Sequence, residues 1–252
     1  MKYYQKENGS VLSLPHRFFV EPSLIFPDVI FIPEKEAQHI FGSFRYRVGD
    51  KVEFFDGQGN VYYSELISKS KAKIIDKKSY SPMPYRLVVA QGVLKGKKMD
   101  FVVKRLSELG VYGMIPVFTE YSVALPHSEK TIRWKRLSVE AAKQSRNPFI
   151  LRIWDPVDFE SFVASKWSEY DVKFFLDTSG GGVLSVKEFL KEHEHSSRFL
   201  GVIGPEGGFS NTERKELLSA GFTPVVIRGG FIFRSEIASL LLGGMFLYEY
   251  EN

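Results

Sequence analysis

Phe199-Leu-Gly-Val-Ile-Gly-Pro-Glu-Gly-Gly-Phe-Ser210 is the stretch from which the rest of the chain is read. An apolar run breaks into a glycine-rich turn, and Ser210-Asn-Thr-Glu213 then has the pattern of a capping box that opens a helix. Strand, glycine loop and helix N-terminus in that order form a seat for a small polar or anionic ligand. Backbone can approach such a ligand closely, and helix N–H groups point at it. The loop Gly204-Pro-Glu-Gly-Gly208 is neither Gly-x-Gly-x-x-Gly nor a P-loop, and Pro205 removes a donor that a phosphate cradle would use. Its composition fits a ligand loop and a tight β–α turn equally well.

A second passage of the same kind follows, Ile227-Arg-Gly-Gly-Phe-Ile-Phe-Arg-Ser-Glu236. Two glycine loops at the ends of two late strands would lie side by side in one sheet and wall a single pocket. Upstream, Arg86-Leu-Val-Val-Ala90 is a continuous apolar run, as expected of a strand buried on both faces. Residues 98–109 carry a helical apolar stripe ended by Gly110. A strand over 111–118, a helix over 129–145, a strand over 174–176 and a helix over 185–192 follow. The strand 224–227 and a helix from about Ser235 to Tyr248 close the chain. This alternation predicts a mainly parallel sheet covered by helices, with ligands at the C-terminal ends of its strands. Between the first strand and its helix, Gly92-Val-Leu-Lys-Gly-Lys-Lys98 suits phosphate contact, or a solvated basic loop.

Residues 17–80 read differently. Short β-type runs recur at 17–20, 29–32, 51–55, 61–67 and 73–75, with a hairpin loop at Asp56-Gly-Gln-Gly-Asn60 and one helix from Pro33 to Ile40. Five strands and a helix predict a small barrel. Ser79-Tyr-Ser-Pro-Met-Pro84 is the linker, which divides the chain into residues 1–80 and 81–252. In the barrel, His16-Arg17 and Arg45-Tyr-Arg47 set arginines beside aromatic rings, as single-stranded nucleic-acid sites do.

The chain has 252 residues and no cysteine, which excludes disulfides and thiolate metal sites. No apolar stretch is long enough to span a bilayer and no signal peptide opens the chain, so a cytosolic location is the default. Charge is uneven: residues 85–148 carry 12 basic and 5 acidic side chains, whereas residues 149–252 carry 10 and 15. A basic middle beside an acidic end fits one face meeting a polyanion, or a lysine-rich solvated surface. The five histidines are scattered, so no metal site is expected, and no Gly-x-Ser-x-Gly is present.

These segments together resemble the RsmE family of ribosomal RNA methyltransferases. The resemblance rests on Phe55-Asp-Gly57, Lys95-Gly-Lys-Lys-Met-Asp100, Lys104-Arg-Leu-Ser-Glu-Leu-Gly-Val111, Glu140-Ala-Ala-Lys-Gln-Ser145 and Ile203–Ser210, and it covers about residues 17–248. It implies a PUA-like β-barrel followed by an α/β SPOUT trefoil-knot methyltransferase domain, working as a homodimer. It implies methyl transfer from S-adenosyl-L-methionine to N3 of a uridine in small-subunit ribosomal RNA, without a metal. It carries the cofactor to Leu176, Ile203, Gly204, Pro205, Glu206, Gly207, Gly208, Ile227, Arg228, Gly229, Ile232 and Phe233. Arg234 is expected to orient the base or stabilise the uridinate, with Glu236 holding Arg234. RNA contacts are expected from Arg17, Arg45, Arg47, Lys95, Lys97 and Lys98. Phe231, Ile237, Tyr121 and Arg146 depart from the family pattern, where arginine, threonine, arginine and glycine are usual. An RNA-binding relative with little or no catalysis is the alternative these departures leave.

Overall fold

Alternation of buried and exposed residues organises the first unit of the chain, Met1–Ser81. The computed structural model describes residues 15–122, 128–165, 167–177, 184–228 and 232–250. Strands β1 (Arg17–Phe19), β2 (Val29–Phe31), β3 (Lys51–Phe55), β4 (Asn60–Ser68) and β5 (Lys71–Ser79) form one sheet in the order β1-β3-β4-β5-β2. Only β1 and β3 pair in parallel. Phe18, Val20, Ile30, Ile32, Val52, Phe54, Leu66 and Ala72 share one apolar core, so residues from both ends of the sheet order meet around it. The hairpin loop between β3 and β4 is held by Asp56, which accepts from the Gln58 and Asn60 backbone N–H groups at 2.8 and 3.0 Å.

Two elements of this unit differ from expectation. Strand β5 extends well beyond residues 73–75, because antiparallel pairing with β4 supplies ladder bonds to a lysine-rich segment that buries little. The helix expected to Ile40 is α1 (Glu34–Ala37) and then widens into a π-turn over Gln38–Ser43. The Phe44 N–H reaches the His39 carbonyl at 2.9 Å, and Ile40 is fully buried.

The second unit, Pro82–Asn252, is a sheet between two helical layers. Its elements are β6 (Arg86–Gly92), α2 (Lys98–Glu108), β7 (Gly113–Phe118), α3 (Ser128–Ser145), β8 (Arg152–Ile153), β9 (Val157–Asp158) and α4 (Phe159–Ala164). There follow β10 (Val172–Leu176), β11 (Leu184–Ser185), α5 (Val186–Glu192), β12 (Arg198–Ile203), α6 (Asn211–Ser219), β13 (Thr223–Val226) and α7 (Ser235–Tyr250). The sheet order is β11-β13-β10-β12-β6-β7-β8, with β9 also on β7, and every pairing in it is parallel. Successive residues of β6 feed opposite faces. Leu87 and Val89 pack with α2, α5 and α7, whereas Val88 and Ala90 pack with α4 and α6. That is why the strand reads as unbroken apolar sequence. The short elements β8, β9, α4 and β11 were not expected, being too brief for a period to register.

Candidate active site

Four neighbouring strands, β13, β10, β12 and β6, end at the same edge of the sheet. Leu176 pairs with Val225, and Ile203 pairs with Gln91. The two glycine-rich segments thus follow β12 and β13, which are not direct neighbours as expected but have β10 between them, at the C-terminal edge where parallel sheets hold ligands. Leu176, Ile227 and Phe233 are partly buried against the core that contains Ile203. Gly204 and Pro205 are buried, Glu206 and Gly207 are exposed, and Gly208 adopts φ +70°. Gly229 and Phe231 lie outside the described residues.

The loop after β12 is fixed from three sides. The Ser235 hydroxyl donates to the Gly204 carbonyl at 2.5 Å, and Gln91 Nε2 donates to Ser235 Oγ at 2.9 Å. The Ser239 hydroxyl donates to Gln91 Oε1. All three side chains are buried, so these bonds form in low dielectric. Gly92 lies so close that a Cβ there would come within 2.6 Å of the Pro205 nitrogen. On the far side, Gly207 faces Tyr121, which a Cβ would meet at 2.8 Å. Glu213 of the capping box accepts the Ser210 N–H at 2.9 Å with one oxygen and the Glu120 N–H at 2.8 Å with the other. One carboxylate thus caps α6 and fastens the turn after β7.

The charged groups are arranged differently from expectation. No ion pair joins Arg234 to Glu236 among the described residues. Glu236 Oε1 faces Lys98 Nζ at 3.7 Å, and Lys98 Nζ donates to Glu206 Oε1 at 2.9 Å. Lys98 was expected on RNA, but it bridges two carboxylates because α2 begins beside the glycine loop. The Glu206 hydrogen bond holds the Lys98 ammonium above its usual pKa. Burial pushes the Glu206 carboxyl up, but Lys98 and the Lys95 N–H outweigh it and leave the pKa lowered. Glu236 Oε2 is buried and has no hydrogen-bond partner among the described residues. Arg234 is exposed, and its carbonyl accepts the first turn of α7.

Other expected contacts also moved. Arg17 is buried and its Nε donates to Glu53 Oε2 at 3.0 Å, so its guanidinium is engaged inside the first unit rather than displayed for RNA. Arg228 is exposed, with its guanidinium 3.4 Å from Glu188, and Ile232 is 77% exposed. Arg45, Arg47, Lys95 and Lys97 are exposed. Asp100 holds Arg133 of α3 through 2.6 Å and 3.2 Å bonds, and Met99 is core, so two members of the Lys-Met-Asp segment serve packing. Arg146 occupies the position where the family pattern has glycine, and it keeps the left-handed φ of +59°.

The family model described as an RNA methyltransferase domain matches residues 81–246. The chain belongs to this family. The model for the RNA methyltransferase PUA domain matches residues 32–77. The chain is 30% identical over 220 residues to the ribosomal RNA small subunit methyltransferase E of Aquifex aeolicus, covering 84% of this chain and 90% of that protein. It is 26% identical over 214 residues to the Bacillus subtilis protein of the same name, covering 78% and 83%. A crystal structure of ribosomal RNA small subunit methyltransferase E from Neisseria gonorrhoeae bound to S-adenosyl methionine superposes with a TM-score of 0.83. That match covers 94% of this chain and 98% of the other at 22% identity, and it shows the shared fold. In sequence, the chain thus carries an RNA methyltransferase PUA domain followed by an α/β RNA methyltransferase domain.

Proposed function

We propose that the chain transfers a methyl group from S-adenosylmethionine to N3 of a uridine in small-subunit ribosomal RNA. The observation that carries this reading is the family match over 81–246, together with β12 and β13, the strands that lead into the two glycine-rich segments, lying in one parallel sheet. The named relatives and the cofactor in the Neisseria structure point the same way. The site's residues fit the cofactor chemically. Leu176, Ile227 and Phe233 offer an apolar wall for an adenine, Gly204 and Gly208 offer close backbone, and Glu206 and Glu236 offer negative charge to a sulfonium and an ammonium. The buried, unpartnered Glu236 Oε2 supports a donor arriving from a ligand. When bound, the cofactor supplies an electrophilic methyl.

Uridine N3–H is a weak acid and must lose its proton before N3 can act as a nucleophile. Arg234, exposed at the start of α7, is suited to stabilise the uridinate by its charge. Lys98 holds the glycine loop and the α7 start in one geometry, which keeps the reacting groups aligned. Residues 1–80 are assigned to holding RNA and 81–252 to transfer, in a cytosolic homodimer as the family resemblance implies. No described helix is long and apolar enough to cross a membrane. The test is mass spectrometry of small-subunit ribosomal RNA incubated with the protein and S-adenosylmethionine. A single N3-methyluridine is expected, and its absence under saturating cofactor would overturn the assignment.

A further inference from the structure

In the first unit, Phe44 stands exposed beside a second aromatic ring, as Phe26 and Phe31 do elsewhere in it. Phe44 is 46% exposed. Its ring lies against His16, with centroids 4.1 Å apart, and edge-on to Phe18 at 5.6 Å. Phe18 is buried and packs on Phe54, so the floor beneath Phe44 is rigid. Tyr46 closes the other side of His16, with its hydroxyl 2.8 Å from His16 Nδ1. The loop itself is pinned by backbone bonds from Phe44 to His39 and from Tyr46 to Ile40, and by the Arg47 N–H to Asp50. Between the two rings Arg45 adopts φ +58°, a strained conformation for a residue with a side chain. Such strain persists only where the surroundings impose it, and it clusters at functional positions. The side chains of Arg45 and Arg47 are both exposed, and no described carboxylate pairs with either.

We propose that Phe44, backed by His16, is a stacking platform for one unpaired RNA base, with Arg45 and Arg47 taking the flanking phosphates. This rests on the RNA-modifying reading above and adds a site to it. The occupant follows from the chemistry. A single exposed ring followed closely in the chain by two exposed cations is too small and too charged for an apolar protein partner. It matches a base, which has two π-faces and a phosphate on either side. An RNA duplex keeps its bases stacked on each other, so the platform serves a loop, bulge or opened strand. Arg17, engaged with Glu53, takes no part.

The experiment is fluorescence anisotropy on the full chain with a labelled single-stranded RNA of about 12 nucleotides and a duplex of equal length. Phe44→Leu keeps an apolar side chain over Phe18 but loses the π-face, and single-strand affinity is expected to fall about five- to one-hundred-fold. Phe44→Trp is expected to bind as well as the parent or better, and duplex affinity is expected to stay level in both. Arg45→Ala with Arg47→Ala is expected to lower the slope of log K against log salt by about 1.4 on the single strand. Because both arginines are exposed, this pair gives a reading even where Phe44→Leu lowers the melting temperature. Unchanged single-strand affinity in Phe44→Leu, equal losses on both probes, or an unchanged salt slope would each overturn the site. Methyl transfer is read separately. Protein that never methylates yet shows the Phe44 effect sinks the enzyme assignment alone, whereas normal methylation with no Phe44 effect sinks the platform alone.

Discussion

The Ser235 hydroxyl donates to the Gly204 carbonyl at 2.5 Å, so the last helix begins on the loop that leaves β12. Ser235→Ala strands that buried carbonyl and removes the acceptor of Gln91 Nε2. The expected cost is about 1–3 kcal/mol. Urea unfolding reports it as a lower midpoint at unchanged m-value, and calorimetry should show weaker S-adenosylmethionine binding.

Gly92→Ala tests the crowding of the same loop from the other side. A methyl group there meets the Pro205 nitrogen, which is backbone and cannot rotate away. The loop must shift, at a cost of about 1–3 kcal/mol. Cofactor affinity is expected to drop at least about tenfold. Binding at parental strength would show that the loop position is not critical.

Arg234 and Glu236 separate by readout. Arg234→Ala is expected to lower the methylation rate about a hundredfold or more, with cofactor affinity kept, as loss of charge stabilisation in the transition state does. Glu236→Gln keeps shape but removes charge opposite Lys98, and is expected to weaken cofactor binding as well. Single-turnover rates beside calorimetric affinities distinguish the two.

The pH response of the site follows from Lys98 and Glu206. The lysine's pKa is raised, so its contribution is whole below the ordinary lysine value and is lost as pH rises through the raised one. The Glu206 pKa is lowered, so its contribution is whole above the ordinary carboxylate range and is lost as pH falls through the lowered value. Between about pH 5 and pH 10 the pair is constant. Lys98→Met removes the larger lowering influence on Glu206, and carbon-detected NMR of the Glu206 carboxyl should find it titrating at higher pH.

Arg17→Ala is expected to destabilise the first unit by about 3 kcal/mol, because it uncovers a partly buried Glu53. Arg17→Met with Glu53→Leu should recover most of that loss. RNA affinity in the folded double variant is expected to stay near the parent's, which a filter-binding titration would check.

The layout was legible wherever packing writes itself into sequence. The apolar run of β6, the stripe of α2 and the Ser210–Glu213 box each fix an element through burial or a cap, and each lies where the pattern put it. The two glycine loops were legible as a pair because both follow strands of one sheet. What holds them was not. Gln91, Ser235 and Ser239 are distant in sequence, and their shared hydrogen bonds exist only after α7 docks on β6. A glutamine ending an otherwise apolar strand was the one local hint. The ion-pair partners of Lys98 and Arg17 were not legible for the same reason, since a cation's partner across the fold leaves no mark in its own segment. The widening of α1 into a π-turn had no sequence signal that we can name.

The pairing of β6 with β12 has a consequence for how the second unit comes to exist. Arg86 lies beside Arg198 at the middle of the sheet, so the central ladder closes only after most of the unit has been made. Strands β6 and β7 can pair early, but one edge of β6 stays open until β12 arrives, and α7 must then settle on that seam. Such non-local closure makes folding slow and leaves an unprotected strand edge in the meantime. The first unit, whose β3, β4 and β5 pair through successive hairpins, closes over much shorter separations, the longest joining Val29 to Lys73. During synthesis its sheet can form while the catalytic half is still an incomplete chain.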